Sequence, residues 1–338
     1  MNLAQFPRRQ YLQAATPIEY LPNFSKALGG PDIYMKRDDL LPGPGGGNKT
    51  RKLEFCIAEA LEQGADTIIT CGAVQSNHCR LTLGWAVKEG LKCRLVLEER
   101  VPGSYDPKAS GNNFLFHLMG VDSIRVVPGG SDMMGAMEQE AGVCRSEGGK
   151  PYIIPGGASN PIGATGYVAC AQEMAQQLYE TGLDLDHIIV PSGSAGTHAG
   201  MVVGMVGCHM NIPISGINVS RTKEDQEAIV YDLAQRTAER VGCPGAVTRE
   251  AVTCFGDYVG PGYSRPTQGM VDAVNLLAKT EAILLDPVYS GKAMDGLIDQ
   301  VRTGRFKQGE SVLFLHTGGS PALYAYLDTF QQSWANSE

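Results

Sequence analysis

The possible folds are narrowed most by a repeated change of hydrophobic period. Short apolar runs rich in β-branched residues stand just upstream of stretches whose apolar positions recur at helical spacing. Residues 67–71 (TIITC) read as a buried strand, 77–88 as a helix, 94–97 (RLVL) as a strand and 111–119 as a helix. Strand 123–127, helix 133–144 and strand 152–154 continue the alternation. The second half repeats it with helix 163–178, strand 187–190, helix 196–206 and strand 212–217. A long polar helix (222–241), helices 269–278 and 292–301 and strand 312–315 complete the pattern. Strand, helix and strand at this spacing predict parallel sheets covered on both faces. The glycine-rich stretch 155–166 (PGGASNPIGATG) separates the two runs, so two α/β domains with mainly parallel sheets are expected.

Composition removes several functions. The chain has 338 residues, 43% hydrophobic, with 28 basic against 36 acidic side chains and a net charge of −8. Such a field repels phosphate, so nucleic acids and anionic membrane surfaces are not expected partners, although a local pocket for a small anion is compatible with it. No apolar run approaches the roughly 18–20 residues needed to cross a bilayer. The opening MNLAQFPRRQ has no apolar signal core, and a cytoplasmic protein is expected. The nine cysteines are scattered without a CxxC pair, which argues against zinc or a disulfide framework and for small apolar residues in a reducing compartment.

Six loops carry candidate chemistry. In GGGNKTRK, three glycines allow close backbone approach to a ligand, and Lys49 at the loop's end becomes a nucleophilic amine if it is held dry. The same segment also reads as the basic start of a surface helix. Asn48 separates the last glycine from Lys49, so this is not a Walker loop. GAVQSNH follows a strand and opens a helix, where N–H groups with Ser76 and Asn77 suit a carboxylate, or simply cap the helix. SGSAGTHAG, from Ser192, offers small residues and hydroxyls at another helix start, a cradle for one phosphate. It lacks GxGxxG spacing, and His198 has no partner at metal-ligand spacing. The loops at Tyr263 and Arg265, at Tyr289 and Ser290, and at Thr317 read singly as capped turns and together as a pocket rim.

In order, GGGNKTRKLEF, QSNH, SGSAGTHAG, GPGY, LDPVYSGKAM and LHTGGSPAL resemble the pyridoxal-phosphate enzymes of the tryptophan-synthase-β type (fold type II). They are most similar to the subgroup of 1-aminocyclopropane-1-carboxylate deaminase, D-cysteine desulfhydrase and L-cysteate sulfo-lyase. The resemblance runs from about residue 6 to 326. It implies pyridoxal 5'-phosphate as cofactor, a homodimer, a large cofactor-binding domain (1–51 and 158–338) and a small domain (52–157).

The resemblance also implies roles. Lys49 matches the Schiff-base lysine, and Ser192, Gly193, Ser194, Ala195, Gly196 and Thr197 match the phosphate loop. Asn77 matches the residue at the pyridine hydroxyl. Ser76, Asn77 and His78 match the turn for the substrate carboxylate, and Thr317 the residue beside the pyridine nitrogen. Tyr263 and Tyr289 match an active-site tyrosine pair, which with Lys49 and Ser76 forms the implied catalytic set.

The deaminase pattern resembles VYEGK; here Ser290 replaces that glutamate, which disfavours ring opening and favours β-elimination from a small amino acid. Arg265, two residues after Tyr263, suits a sulfonate through paired hydrogen bonds, or else points to solvent. The implied reaction is L-cysteate to pyruvate, sulfite and ammonia, with D-cysteine desulfhydration as the alternative. Ring-opening deamination and a non-enzymatic amino-acid-binding module rank below these.

Overall fold

The computed structural model describes residues 1–335. The large sheet has the order β1-β2-β10-β7-β8-β9, formed by β1 (Ile18–Tyr20), β2 (Asp32–Lys36), β7 (His187–Ser192), β8 (Ile214–Asn218), β9 (Thr253–Phe255) and β10 (Ser311–Leu315). Only β1 runs antiparallel, against β2. The small sheet, β5-β4-β3-β6, is wholly parallel and comprises β3 (Thr67–Ala73), β4 (Lys92–Glu99), β5 (Ser123–Pro128) and β6 (Pro151–Ile154).

Alternating residues explain why helices cover both faces. On β7, Ile188 and Val190 enter one core, shared with α6 (Pro161–Thr181), α7 (Gly196–Gly207) and α8 (Lys223–Arg240). Ile189 enters the opposite core, shared with α1 (Pro22–Leu28), α9 (Gln268–Glu281) and α10 (Ser290–Arg302). On β3, Ile68 faces α2 (Lys49–Glu62), α3 (Asn77–Lys88) and α4 (Asn112–Leu118), whereas Ile69 faces α5 (Met133–Ser146). Each fully buried side chain of this size contributes about 1.5–3 kcal/mol relative to exposure. Helix α11 (Leu327–Ala335) rests on α9.

The expected strands and helices form, most of them longer by one to three residues at an end. The small sheet takes its strands from residues 67–154, and the glycine-rich stretch lies between β6 and the first turns of α6. The first 62 residues and β9 hold what the pattern did not show. β1 and β9 have three residues each, too few for a period, and β2 ends in a buried charge, Lys36.

The basic start of α2 is not on the surface. Arg51 and Lys52 are each 1% exposed. Arg51 pairs with Asp38 and with Glu173 of α6, each at 2.8 Å, and Lys36 pairs with the same Glu173 at 2.5 Å. Breaking such a buried pair by removing one partner costs about 3–5 kcal/mol, so the network fixes the start of α2, and Lys49 with it.

Candidate active site

One cavity of about 320 Å³ is walled by loops at the carboxyl ends of strands from both sheets. Helix α2 enters it at Lys49. Asn48, just before, holds this junction in place: its N–H donates to the Thr317 carbonyl (3.0 Å) and its Nδ2 to Thr197 Oγ1 (3.0 Å). Lys49 Nζ donates to Asn48 Oδ1 at 3.0 Å, and the surface it keeps open faces the cavity. Burial pulls its pKa down to about 8; Asp286 opposes this and Arg80 reinforces it. An amine in that range is available both as nucleophile and as base.

The turn after β3 supplies the second wall. Ser76 caps α3 by accepting the Cys79 N–H (3.1 Å), and the same residue lines the cavity. Asn77 lines the cavity, and its carbonyl oxygen is taken by Arg80. That leaves the Asn77 amide NH2 as the group available to a ligand. Arg80 is fully buried and also donates to Asn112 Oδ1 (2.8 Å) and the Gly46 carbonyl (2.5 Å). His78 lines the cavity too, but its Nε2 is engaged with Thr70 Oγ1 at 2.7 Å. Burial, with Lys49 and Lys52 nearby, holds the His78 ring well below its usual pKa, hence neutral.

The loop from Ser192 to Thr197 forms the third wall. The Gly193 carbonyl accepts from Gln226 Nε2 (3.0 Å) and Arg221 Nη1 (2.8 Å), so the trans N–H of Ser194 points away from those side chains. Ala195 adopts φ 75°, a conformation uncommon outside glycine, which turns the chain into α7. A Cβ on Gly196 would stand 2.8 Å from Lys52 Nζ and from Ser159 Oγ. Lys52 therefore lies directly beneath the helix start, with one hydrogen-bond partner among the described residues, the Gly157 carbonyl at 3.1 Å. Burial first, then Lys49, holds its pKa well below the ordinary lysine value. A buried amine with so little compensation, beside the N–H groups and the Ser194 and Thr197 hydroxyls, fits a phosphate. His198 is a packing residue, with Nδ1 3.2 Å from Ser192 Oγ.

The tyrosines close the fourth side. Tyr263 donates to the Tyr289 hydroxyl at 3.1 Å, and the rings meet edge to face. Burial raises both phenols above their usual pKa, so they are neutral donors. The Tyr263 loop is clamped by Lys292 Nζ to the carbonyls of Val259 (2.7 Å) and Gly262 (2.8 Å). Tyr289 is held by Asp286, whose carboxylate accepts the N–H groups of Val288, Tyr289 and Ser290 and the Ser290 hydroxyl.

The structure thus brings Lys49, Ser76, Asn77, His78, Ser192, Gly193, Ser194, Ala195, Thr197, Tyr263, Tyr289 and Thr317 to one cavity wall. Three expected residues stand off it. Gly196 lies behind the wall, its N–H on Ser159 Oγ (3.2 Å). Ser290 is fully buried with its hydroxyl on Asp286 Oδ1 (2.7 Å), because at the start of α10 it completes the turn around that carboxylate. Arg265 is exposed and off the wall, following the turn at Ser264 (φ 62°), so the expectation that it meets a sulfonate is corrected.

Sequence reasoning missed Arg100, Arg221, Asp286 and the methionines Met133, Met134 and Met137 on the wall, and Lys52 and Arg80 behind it. Lys52 had a signal, being three residues after Lys49 and so on the same helix face. Arg100 had none, since it comes from the other domain.

This geometry is that of a pyridoxal-phosphate enzyme, and the family comparison agrees. Residues 10–318 match the family of pyridoxal-phosphate-dependent enzymes, to which the chain belongs; it is a fold type II member, and its cofactor is pyridoxal 5'-phosphate. More particularly, it is similar to the crystal structure of an ACC deaminase homologue: 38% identity over 98% of this chain and 97% of that one, TM-score 0.88. It shares its fold with an L-serine ammonia-lyase from Rhizomucor miehei (19% identity, 95% and 98% covered, TM-score 0.65). The same is true of a hydrogen sulfide-producing enzyme from Fusobacterium nucleatum (16% identity, 90% and 95% covered, TM-score 0.63). No helix among the described residues is long and apolar enough to cross a membrane.

Proposed function

We propose that the protein is a β-eliminating carbon–sulfur lyase whose substrate is L-cysteate, converted with water to pyruvate, sulfite and ammonia. The observation that carries this reading is the charge lining of the cavity. Lys49, Arg100 and Arg221 face it, while the carboxylates on the wall among the described residues, Glu98 and Asp286, have each of their oxygens accepting from a protein donor. Such a wall suits a substrate with two acidic groups beside a phosphate.

When bound, pyridoxal phosphate supplies the electron sink that acidifies the Cα–H of an attached amino acid. The residues of this chain do the rest. Lys52, Ser194, Thr197 and the start of α7 hold the phosphate, and the Asn77 NH2 donates to the ring hydroxyl. The Ser76–His78 turn holds the substrate carboxylate. Lys49, with its lowered pKa, takes the Cα proton. Tyr289, its own hydroxyl accepting from Tyr263, donates toward the departing group, and Tyr263 stands behind it in the same relay. The Thr317 hydroxyl, on the same wall, is the neutral partner of the ring nitrogen. Ser290 has no acid to offer there, which is why ring-opening deamination is not the reading favoured.

D-cysteine desulfhydration is the second reading, supported by Thr317, which resembles the desulfhydrase residue. The proposal includes the homodimer implied by the resemblance, a small domain spanning 52–157, and a cytoplasmic setting that suits nine free thiols. A product assay with L-cysteate, D-cysteine, L-cysteine and aminocyclopropane carboxylate tests it. Sulfite with pyruvate from L-cysteate alone is the expected result. Sulfide from D-cysteine without sulfite from L-cysteate overturns the first reading for the second.

A further inference from the structure

We infer that Arg100 is the residue that recognises the sulfonate and so selects the substrate. This rests on the lyase reading above and deepens it. Arg100 follows β4 of the small sheet and reaches across to the tyrosine pair of the large one. Its Nε donates to Glu98 Oε2 at 2.5 Å, and the other Glu98 oxygen accepts the Gly130 N–H at 2.9 Å. Its guanidinium carbon lies 4.1 Å from the centre of the Tyr263 ring. One edge and one face of the planar group are therefore fixed. The remaining edge carries Nη1 and Nη2, which have no hydrogen-bond partner among the described residues, and Arg100 lines the cavity while 38% of its side chain stays accessible.

A fixed guanidinium edge with two parallel N–H donors matches two oxygens of a tetrahedral oxyanion. The carboxylate of an amino acid is already accounted for, in the reading above, at the Ser76–His78 turn. What remains for Arg100 is an anion on Cβ. A thiol in that place would gain little from it. Glu98 offsets part of the guanidinium's charge, but it binds the Nε edge only and keeps the Nη1–Nη2 edge aimed at the cavity. Arg221, the other arginine on the wall, donates its Nη1 to the Gly193 carbonyl.

The test uses holoenzyme and the Arg100→Gln and Arg100→Lys variants. Calorimetry measures binding of 3-sulfopropanoate and of propanoate, and kinetics measure kcat/KM for L-cysteate and β-chloro-L-alanine. The expected result for Arg100→Gln is a loss of about 10- to 100-fold in 3-sulfopropanoate affinity and in L-cysteate kcat/KM, mostly through KM. Propanoate and chloroalanine should change by less than about threefold, and Arg100→Lys should recover part of the loss. Equal loss on ligands with and without the sulfonate would overturn the assignment and make Arg100 a support for Tyr263. So would wild-type affinity for 3-sulfopropanoate no better than for propanoate. If 3-sulfopropanoate binding depends on Arg100 while wild type leaves L-cysteate intact, the assignment stands and the lyase reading falls.

Discussion

Lys52→Met isolates one electrostatic contribution to cofactor binding. The amine is 1% exposed, donates to a single carbonyl 3.1 Å away, and has its pKa driven well below the usual value by burial and by Lys49. In the cofactor-free protein it contributes little, and a methionine of similar length fills its volume at a change of under about 1.5 kcal/mol. Against a phosphate it becomes a charged donor in a dry place. Losing one or two charge-assisted hydrogen bonds, at about 1.5–3 kcal/mol each, predicts a loss near 3 kcal/mol, roughly a 100-fold weaker Kd. The assay titrates cofactor-free wild type and variant with pyridoxal phosphate and, separately, with pyridoxal, following cofactor absorbance. Lys49 reacts alike with both aldehydes, so the wild-type-to-variant ratio for pyridoxal cancels everything except the phosphate. The expected ratio is about 100 for the phosphate ester and near 1 for pyridoxal. Equal ratios for the two would refute the claim that Lys52 faces the phosphate.

Replacing Lys49 with alanine removes the only amine whose open surface faces the cavity among the described lysines. The absorbance of the lysine–cofactor imine and turnover should both vanish, and retained turnover would contradict its role. Asp286→Ala strands the three N–H groups and the hydroxyl that the carboxylate accepts, so urea unfolding should show at least about 3 kcal/mol of lost stability. For pH, burial raises the thiols of Cys56, Cys79 and Cys254 to about 12 and of Cys71 to about 11. The unfolded chain ionises these near 9 while the native state keeps the protons, so their stabilisation is complete below 9 and is lost as pH rises toward 12. Depressed lysines oppose this: Lys49 and Lys292, both near 8, and Lys52, held well below the ordinary lysine value, add stability as pH climbs to about 10.5, but the raised thiols outnumber them. The urea midpoint of reduced, cofactor-free protein should therefore fall between pH 9 and 11; a rising midpoint would contradict the burial of the thiols.

Local pattern determined a good deal. Hydrophobic period located β3 with α3, β7 with α7, and most of both sheets, because each strand must bury residues on both faces and each helix one stripe. Small residues and caps at the strand ends marked the loops around Lys49, Ser76 and Ser192, since an N–H at a helix start is a local property that residue type reveals. Three things had to wait for the tertiary structure. Whether the basic face of α2 met water or protein depended on Asp38 and on Glu173. Those carboxylates reach Arg51 only after folding, and they turn a surface reading into a buried one. Whether Ser290 and Arg265 entered the cavity depended on turn geometry at Asp286 and Ser264. Which cation faces the tyrosine pair depended on two sheets meeting: Arg100 and Tyr263 are 4.1 Å apart in space and belong to different sheets' loops. Charge and direction in a dry cavity are set by neighbours distant in the chain, and no local window of sequence contains them.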